Sequence, residues 1–172
     1  YDVVIVDPGE YYENINIEEK DAISIYSQAV FEFDESSKQY YIDNTIINGS
    51  NFGSCLNIEN SGDSLLEISG FTLRKGRSET GGGINVYNSK AQFNELILSN
   101  NSALTMGGGV FIGGSSEIEF NNSKIDTNLS VTGSGLGGGL FIDGTSTLQL
   151  NNTEISRNKS QNGGGLYLNN LN

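Results

Sequence analysis

The chain has 172 residues and a formal net charge of −12. A chain of this sign repels phosphate backbones, which argues against a nucleic-acid partner. Histidine is absent from the sequence, which excludes chemistry that depends on an imidazole. No apolar run approaches the roughly 18 residues of a membrane-spanning helix. With 23 glycines, one proline and many short alternating runs, the sequence predicts a nearly all-β fold.

The first 50 residues are less regular than the rest. The run "YDVVIVDPGEYYENINI" predicts a strand, a turn at "DPG" and a second strand with Ile15 and Ile17 pointing inward. The runs "AISIYS" and "TIING" follow, with an insertion around "FEFDESSKQYY" between them. We expect residues 1–50 to form irregular N-terminal coils that continue into regular coils over residues 51–172, as one continuous domain within a longer chain.

Acidic side chains concentrate in this N-terminal segment. Eleven of the 21 acids lie in residues 1–43. They could take up Ca²⁺, but their spacing resembles no known Ca²⁺-binding loop, so solvated surface charge is the favoured interpretation and no other cofactor is expected. The acids considered are Glu18, Glu19, Asp21, Asp34 and Glu35.

From residue 51 onward the sequence repeats. Glycine triplets begin at Gly81, Gly107, Gly137 and Gly163, at successive spacings of 26, 30 and 26 residues. Each triplet opens an alternating strand, after which a second strand and a third apolar anchor follow. The predicted inward residues are Ile84, Val86, Val110, Ile112, Leu140, Ile142, Leu166 and Leu168 on the first strands, Ile68, Phe93, Phe120 and Leu150 on the second strands, and Leu73, Leu98, Ile125 and Ile155 at the anchors.

Three short strands and three turns in about 27 residues describe one coil of a parallel β-helix. We therefore predict an all-β, single-stranded parallel β-helix of about six coils, right-handed because parallel connections favour that hand. The glycine triplets supply the sharp turn and avoid crowding between stacked coils. An earlier copy, "GSCLNI", lacks the triplet and carries the lone Cys55, which we expect to be a small structural thiol rather than a reactive one.

Asparagines recur at fixed places in these coils. One set follows the second strands, and another lies three residues after the third anchors. In stacked coils each set predicts a ladder in which side-chain amides bond to their neighbours above and below and tolerate left-handed turns. The two sets are Asn94, Asn121 and Asn151, and Asn101, Asn128 and Asn158.

The words "NNSALTMGGGVF" and "RNKSQNGGGLYL" resemble the repeats of chlamydial polymorphic membrane proteins, with Leu or Ile in place of the usual Phe anchor and Gly in place of the usual Ala. A resemblance over nearly the whole chain, through "VDPGEYYENINI", "YYIDNTIINGSNFGSCLNIENSGDSLLEISGFTLRKG" and the "GGGI" words, is to the right-handed parallel β-helix region of large secreted proteins of Bacteroidota. That resemblance implies an extracellular or cell-surface setting, export by the type IX system and a pectate-lyase-like superhelix. It implies no activity.

Candidate catalytic groups are few. Glu117 and Glu119 flank an inward residue on one strand, about 6.5–7 Å apart, which is the short end of the range for inverting glycosidases. Every strand with two acids two residues apart gives that distance, so the pair is an alternative rather than the favoured interpretation. Polysaccharide lyases that resemble this fold use acidic Ca²⁺ ligands together with an Arg or Lys base. For the loop with Arg74, Lys75 and Arg77, however, a solvated turn is the favoured interpretation.

An outward column on the first strands is more informative. Its successive members are Asn57, Asn85, Phe111, Phe141 and Tyr167. An exposed aromatic stripe suits sugar rings or a partner surface. The competing interpretation is that the rings stack on each other and stiffen the rod. We take Phe111, Phe141 and Tyr167 as the candidate binding residues.

Two functions follow from these patterns. The first is a non-enzymatic extracellular or cell-surface module, an elongated scaffold or adhesin that presents loops and the aromatic stripe to a glycan or protein partner. The alternative is a carbohydrate-active enzyme, a polysaccharide lyase or glycoside hydrolase whose catalytic residues lie mostly outside this sequence. End-to-end or lateral self-association through unpaired strand edges is a further expectation.

Overall fold

The alternating runs form short parallel strands that stack one turn above another. The computed structural model describes residues 2–20 and 22–169, and in it the chain is an all-β parallel solenoid of about five turns, with 8% of residues helical. The predicted fold class is therefore confirmed, with about five turns where the sequence predicted about six coils, while its right-handed sense stays a prediction. No helix in these described ranges is long and apolar enough to span a membrane.

In chain order the strands are β1 (Asp2–Val6), β2 (Gly9–Tyr12), β3 (Ile15–Glu18), β4 (Ile23–Ser27), β5 (Thr45–Asn48), β6 (Leu56–Ser69), β7 (Thr72–Arg74), β8 (Arg77–Thr80), β9 (Ile84–Asn94), β10 (Ile97–Ser99), β11 (Ser102–Met106), β12 (Val110–Gly113), β13 (Glu117–Asn121), β14 (Lys124–Asp126), β15 (Leu129–Ser130), β16 (Leu140–Asp143), β17 (Thr147–Asn151), β18 (Glu154–Ser156) and β19 (Leu166–Asn169). A 3₁₀ turn, Gln28–Phe31, and one helix, α1 (Glu35–Asn44), lie between β4 and β5.

The strands stack on three faces of the solenoid. The first face holds β3, the start of β6, the start of β9, β12, β16 and β19. The second holds β1, β4, the ends of β6 and β9, β13 and β17. The third holds β2, β5, β7, β10, β14 and β18 in one parallel sheet. A short sheet of β8, β11 and β15 lies between the third face and the next glycine triplet.

The core is a column of apolar side chains that point inward from all three faces and fill the interior of the solenoid. Equivalent residues pair in register from turn to turn, for example Leu56 with Ile84 and Ile84 with Val110. Most predicted inward residues are fully buried, and Phe93 and Phe120 lie with their ring centroids 4.8 Å apart. Leu150, Leu166 and Leu168 in the last turn are partly exposed, because no further described turn covers them.

The glycine triplets have both predicted roles. The first glycine of each triplet has a left-handed φ between 59° and 65°. The second and third lie against the next turn: a Cβ on Gly82 would come within 2.7 Å of the Gly108 carbonyl oxygen, and a Cβ on Gly83 would come within 2.6 Å of the Gly109 oxygen. Side chains here would therefore force the turns apart.

Both predicted asparagine ladders are present. On the inner ladder, Asn101 Nδ2 donates to Asn128 Oδ1 at 3.1 Å, and Asn128 Nδ2 donates to Asn158 Oδ1 at 3.0 Å. On the outer ladder, Asn121 Nδ2 donates to Asn94 Oδ1 at 2.9 Å, and Asn151 continues the chain at 2.8 Å. The left-handed residues are those adjacent to the ladder asparagines, such as Asn100, Thr127 and Arg157, rather than the ladder members themselves.

Cys55 closes one end of the inner ladder. Its Sγ lies 3.3 Å from the Arg74 carbonyl oxygen and 3.6 Å from Asn101 Oδ1. Burial raises the pKa of the thiol to about 11. A buried thiol that is protonated at neutral pH is unreactive, so the prediction of a structural cysteine is confirmed.

The insertion contains the one α-helix of the described residues, which was not predicted from the sequence. Asp34 caps α1 by accepting a hydrogen bond from the Ser37 amide at 2.9 Å. The helix lies beside β5 and β7, its buried side chain is Ile42, and Lys38 forms an ion pair with Glu95 at 2.9 Å. Outside Ile42 the helix is polar or only half-buried, so it lies on the solenoid rather than within its core.

Candidate functional site

The outward column on the first face changes character halfway along the solenoid. Its lower members are amides: Asn57 Nδ2 donates to Asn16 Oδ1 and Asn85 Nδ2 donates to Asn57 Oδ1, both at 2.7 Å. Its upper members are the three aromatic rings. Phe141 lies 5.6 Å from Phe111 and 5.6 Å from Tyr167 between ring centroids, with the planes within 7° of parallel.

This stacking corrects the prediction of an exposed stripe. Phe141 is only 1% exposed, because Phe111 and Tyr167 lie on either side of it. Phe111 and Tyr167 are half-buried and are the accessible members of the column. The competing interpretation, in which the rings stack on each other and stiffen the rod, matches the geometry. Binding by Phe111 and Tyr167 stays a prediction.

We expect Phe141→Ala to lower the free energy of unfolding by about 2–3 kcal/mol, because it removes a buried ring that two neighbours contact. The cost falls toward the low end for a buried Phe because the column lies outside the main core. The measurement is urea denaturation followed by circular dichroism. Tyr167→Ala, which removes a half-buried ring, serves as the control and should cost less. Equal stability of wild type and Phe141→Ala would contradict the stacked column.

A groove runs across the strands of the second face. Outward side chains of β9, β13 and β17 form two columns, and the backbone at Ala91, Ile118 and Leu148 lies between them. The volume of the groove is about 540 Å³. One column is Lys90, Glu117 and Thr147, and the other is Gln92, Glu119 and Gln149. The groove is therefore open, polar and repetitive.

The two candidate catalytic carboxylates belong to this groove. Glu117 pairs with Lys90 at 2.9 Å and has a side chain that is 62% exposed. Glu119 accepts from Asn151 Nδ2 at 2.8 Å and from Gln92 Nε2 at 3.4 Å. Neither carboxyl lies in the apolar enclosure in which a glycosidase holds its general acid. What the pair can do here is accept hydrogen bonds from a ligand.

The arginine loop divides into different environments. The prediction of a solvated turn is wrong for Arg74. This residue ends β7 on the third face, where its Nη2 donates to Glu10 Oε1 of β2 at 2.7 Å. Asn48 of β5, between those strands, donates to the same carboxylate. Lys75 takes a left-handed φ of 55°, and Arg77 is exposed at the start of β8. Arg74 therefore joins three turns of the solenoid.

The hydrogen bonds from Arg74 and then from Asn48 lower the pKa of Glu10 from 4.5 to about 2. A depressed pKa stabilises the fold above pH 4.5, and this contribution is lost as the pH falls through about 2. We expect the urea midpoint of wild type to exceed that of Glu10→Gln at pH 7, and this difference to shrink between pH 4.5 and 2.

An NMR titration of the Glu10 carboxyl measures the same effect directly. Arg74→Gln is the matched variant and should return the pKa of Glu10 toward 4.5. A wild-type carboxyl that already titrates near 4.5 would contradict the ion pair across the third face.

A second groove, of about 550 Å³, separates α1 from the turns that follow the second face. Gln39 and Ile42 of the helix form one wall, and Asn122 and Asn152 form part of the other. Asn152 Nδ2 donates to Asn122 Oδ1 at 2.8 Å, which makes this wall a further amide ladder. The repeat pattern gives no signal for this groove, because one of its walls is α1, which lies in the insertion outside the repeats.

The acidic residues that could take up Ca²⁺ lie on two different elements of the fold. Asp34 caps α1, Glu35 lies in its first turn, and Glu18 and Glu19 lie at the end of β3. Asp21 lies outside the described residues. Across residues 2–20 and 22–169, no three His, Cys, Asp or Glu side chains come close enough together to hold a metal ion.

Comparison with known proteins identifies no family for this chain. No protein-family model, no curated protein and no solved structure matches the chain.

Proposed function

We propose that the chain is a non-enzymatic scaffold of an extracellular or cell-surface protein, and that it presents side-chain columns on its outer faces to a glycan or protein partner. The resemblance of its glycine and asparagine repeat motifs to those of secreted β-helix proteins supports the extracellular or cell-surface location. The parallel solenoid supports the scaffold role, because stacked turns hold outward side chains at a fixed spacing of about 4.8 Å.

The observation that carries this proposal is the continuity of the outward columns. The amide ladders and the aromatic column each repeat one side chain per turn and are held by contacts between neighbouring turns, and the groove repeats two outward side chains per turn. Such columns are rigid before any partner binds, so binding loses little side-chain entropy. A partner with its own repeat meets several equivalent contacts at once.

A screen of the purified chain on an array of neutral, acidic and sulfated glycans tests the proposal, with mass spectrometry of each bound glycan for cleavage products. We expect binding without cleavage. Cleavage would contradict the proposal and favour the carbohydrate-active enzyme, with Glu117 and Glu119 as the first residues to replace. Absence of binding to all glycans and to surface proteins would leave a spacer that presents nothing.

The double variant Phe111→Ser with Tyr167→Ser tests whether the aromatic column binds the glycan. It removes both accessible rings and keeps the buried Phe141. Lost glycan binding with an unchanged thermal midpoint would assign the column to the partner, whereas a lowered midpoint with unchanged binding would assign it to stability alone.

A further inference from the structure

The groove on the second face has side chains whose positions are already fixed. Asn151 and Gln92 both donate to the Glu119 carboxylate, from the turns above and below it. Two turns below Glu119, the Glu67 carboxylate is held in the same way, by Tyr26 Oη at 2.6 Å and Asn94 Nδ2 at 3.0 Å. Glu119 is therefore a preorganised hydrogen-bond acceptor within the groove, and Glu67 repeats the arrangement in the same column beyond the groove lining.

The chemistry of the groove favours hydroxyl groups. Carboxylates accept hydrogen bonds from hydroxyl groups, and the side-chain amides of Gln92 and Gln149 both donate and accept them. Leu65, next to Lys90 in the adjoining turn, is 43% exposed and offers an apolar contact at one end. A sugar ring has this combination of equatorial hydroxyls and apolar C–H surface.

Charge decides between neutral and acidic sugars. Lys90 is the cation of the groove, and it already pairs with Glu117, while Glu119 adds a second carboxylate. The whole chain carries a net charge of −12. A uronate or sulfated sugar would therefore be repelled both by the carboxylates of the groove and by the net negative charge of the chain.

The direction of the groove decides the shape of the ligand. It runs from turn to turn across β9, β13 and β17, so equivalent groups repeat about every 4.8 Å. One pyranose unit of an extended β-1,4-linked chain has a similar length. We infer that this groove binds a neutral, extended β-1,4-linked glycan that lies along the solenoid axis, with about three sugar units over the three strands. The inference rests on the proposed function and names its site and ligand class.

Isothermal titration of the full chain with cellohexaose, xylohexaose and mannohexaose tests this inference, with trigalacturonate as the acidic comparison. We expect at least one neutral hexasaccharide to bind and trigalacturonate to bind at least tenfold more weakly. The affinity for the bound sugar type should rise from disaccharide to trisaccharide and then change by less than threefold up to the hexasaccharide, because the groove covers three turns.

The double variant Gln92→Ala with Glu119→Ala should raise the Kd at least tenfold. Its matched control, Lys124→Ala with Glu154→Ala, removes an ion pair between neighbouring turns on the third face and should leave the Kd within twofold. Thr147→Lys fills the groove without removing a ladder bond and gives a second test if the double variant fails to fold. Circular dichroism confirms the fold of each variant.

Two results would overturn the inference: no binding of any neutral hexasaccharide, or unchanged affinity in folded Gln92→Ala with Glu119→Ala and in Thr147→Lys. If Phe111→Ser with Tyr167→Ser abolishes binding while the groove variants do not, the glycan site lies on the first face. In that case the inference fails and the proposed function stands. Cleavage of the hexasaccharide would instead contradict the proposed function itself.

Discussion

Gly108→Ala is expected to lower the free energy of unfolding by about 3–4 kcal/mol, or to prevent folding. A Cβ at this position would lie 2.4 Å from the Gly138 carbonyl oxygen and 2.4 Å from the Leu129 carbonyl carbon. Both atoms are backbone atoms of the stacked turn and cannot rotate away. The substitution therefore has to separate two turns, which breaks their strand pairing. Urea denaturation at 25 °C measures the loss.

Two other glycines separate this packing cost from the cost of backbone conformation. Gly62 has a φ of +64°, but a Cβ there would meet no atom within 4 Å, so Gly62→Ala should cost about 1 kcal/mol. Gly133 also has open space and lacks a left-handed φ, so Gly133→Ala should change stability by less than about 0.5 kcal/mol. Equal effects of Gly108→Ala and Gly133→Ala would show that the turns are not stacked as described.

Asn128→Ala is expected to lower the free energy of unfolding by about 3–5 kcal/mol, since several buried groups lose their partner at once and each costs about 1–3 kcal/mol. Asn128 is buried, and its amide donates to the Leu98 carbonyl oxygen and to Asn158 Oδ1, both at 3.0 Å. Its Oδ1 accepts hydrogen bonds from the backbone N–H of Asn101 at 3.0 Å and from the side-chain Nδ2 of Asn101 at 3.1 Å. Thermal and urea unfolding both measure the effect.

Asn151→Ala is the control on the outer ladder. Asn151 makes comparable amide bonds, to Asn121 and Glu119, but it is exposed, so water replaces the lost partner. We expect a loss below about 1 kcal/mol. If the two substitutions had equal effects, burial of the inner ladder would not be what makes it stabilising.

The repeat made the fold predictable from sequence. Strand alternation fixes which residues point inward, and constant spacing from Phe93 to Leu98 and from Phe120 to Ile125 places each third anchor on the same face. The asparagine ladders followed from the same spacing, because stacked turns bring equal positions together. These features depend on local pattern and on one rule, that turns stack in register.

What the sequence did not show depends on contacts outside the repeat. Helix α1 has one buried residue, Ile42, and no apolar stripe, so only the cap at Asp34 could have indicated it. The pair of Glu10 with Arg74 bridges 64 residues across the insertion, where no repeat sets the register.

The candidate site was predictable in part. Alternation placed Phe141 on the outside of its strand, but it could not show that neighbouring rings would cover it. The groove with Glu117 and Glu119 was visible only as two acids on one strand. Its fixed geometry comes from Asn151 and Gln92, which lie one turn above and one turn below. Whether outward side chains form a ladder or a free surface depends on side-chain conformers that strand periodicity does not set.

The most direct test of the central claim, a scaffold whose groove on the second face binds a neutral β-1,4-linked glycan without cleaving it, is titration of the full chain with neutral hexasaccharides followed by mass spectrometry of the recovered sugar. We predict saturable binding of one hexasaccharide per chain and recovery of that sugar intact. Recovery of shorter sugars, or no heat of binding with any of the three hexasaccharides, would contradict the claim.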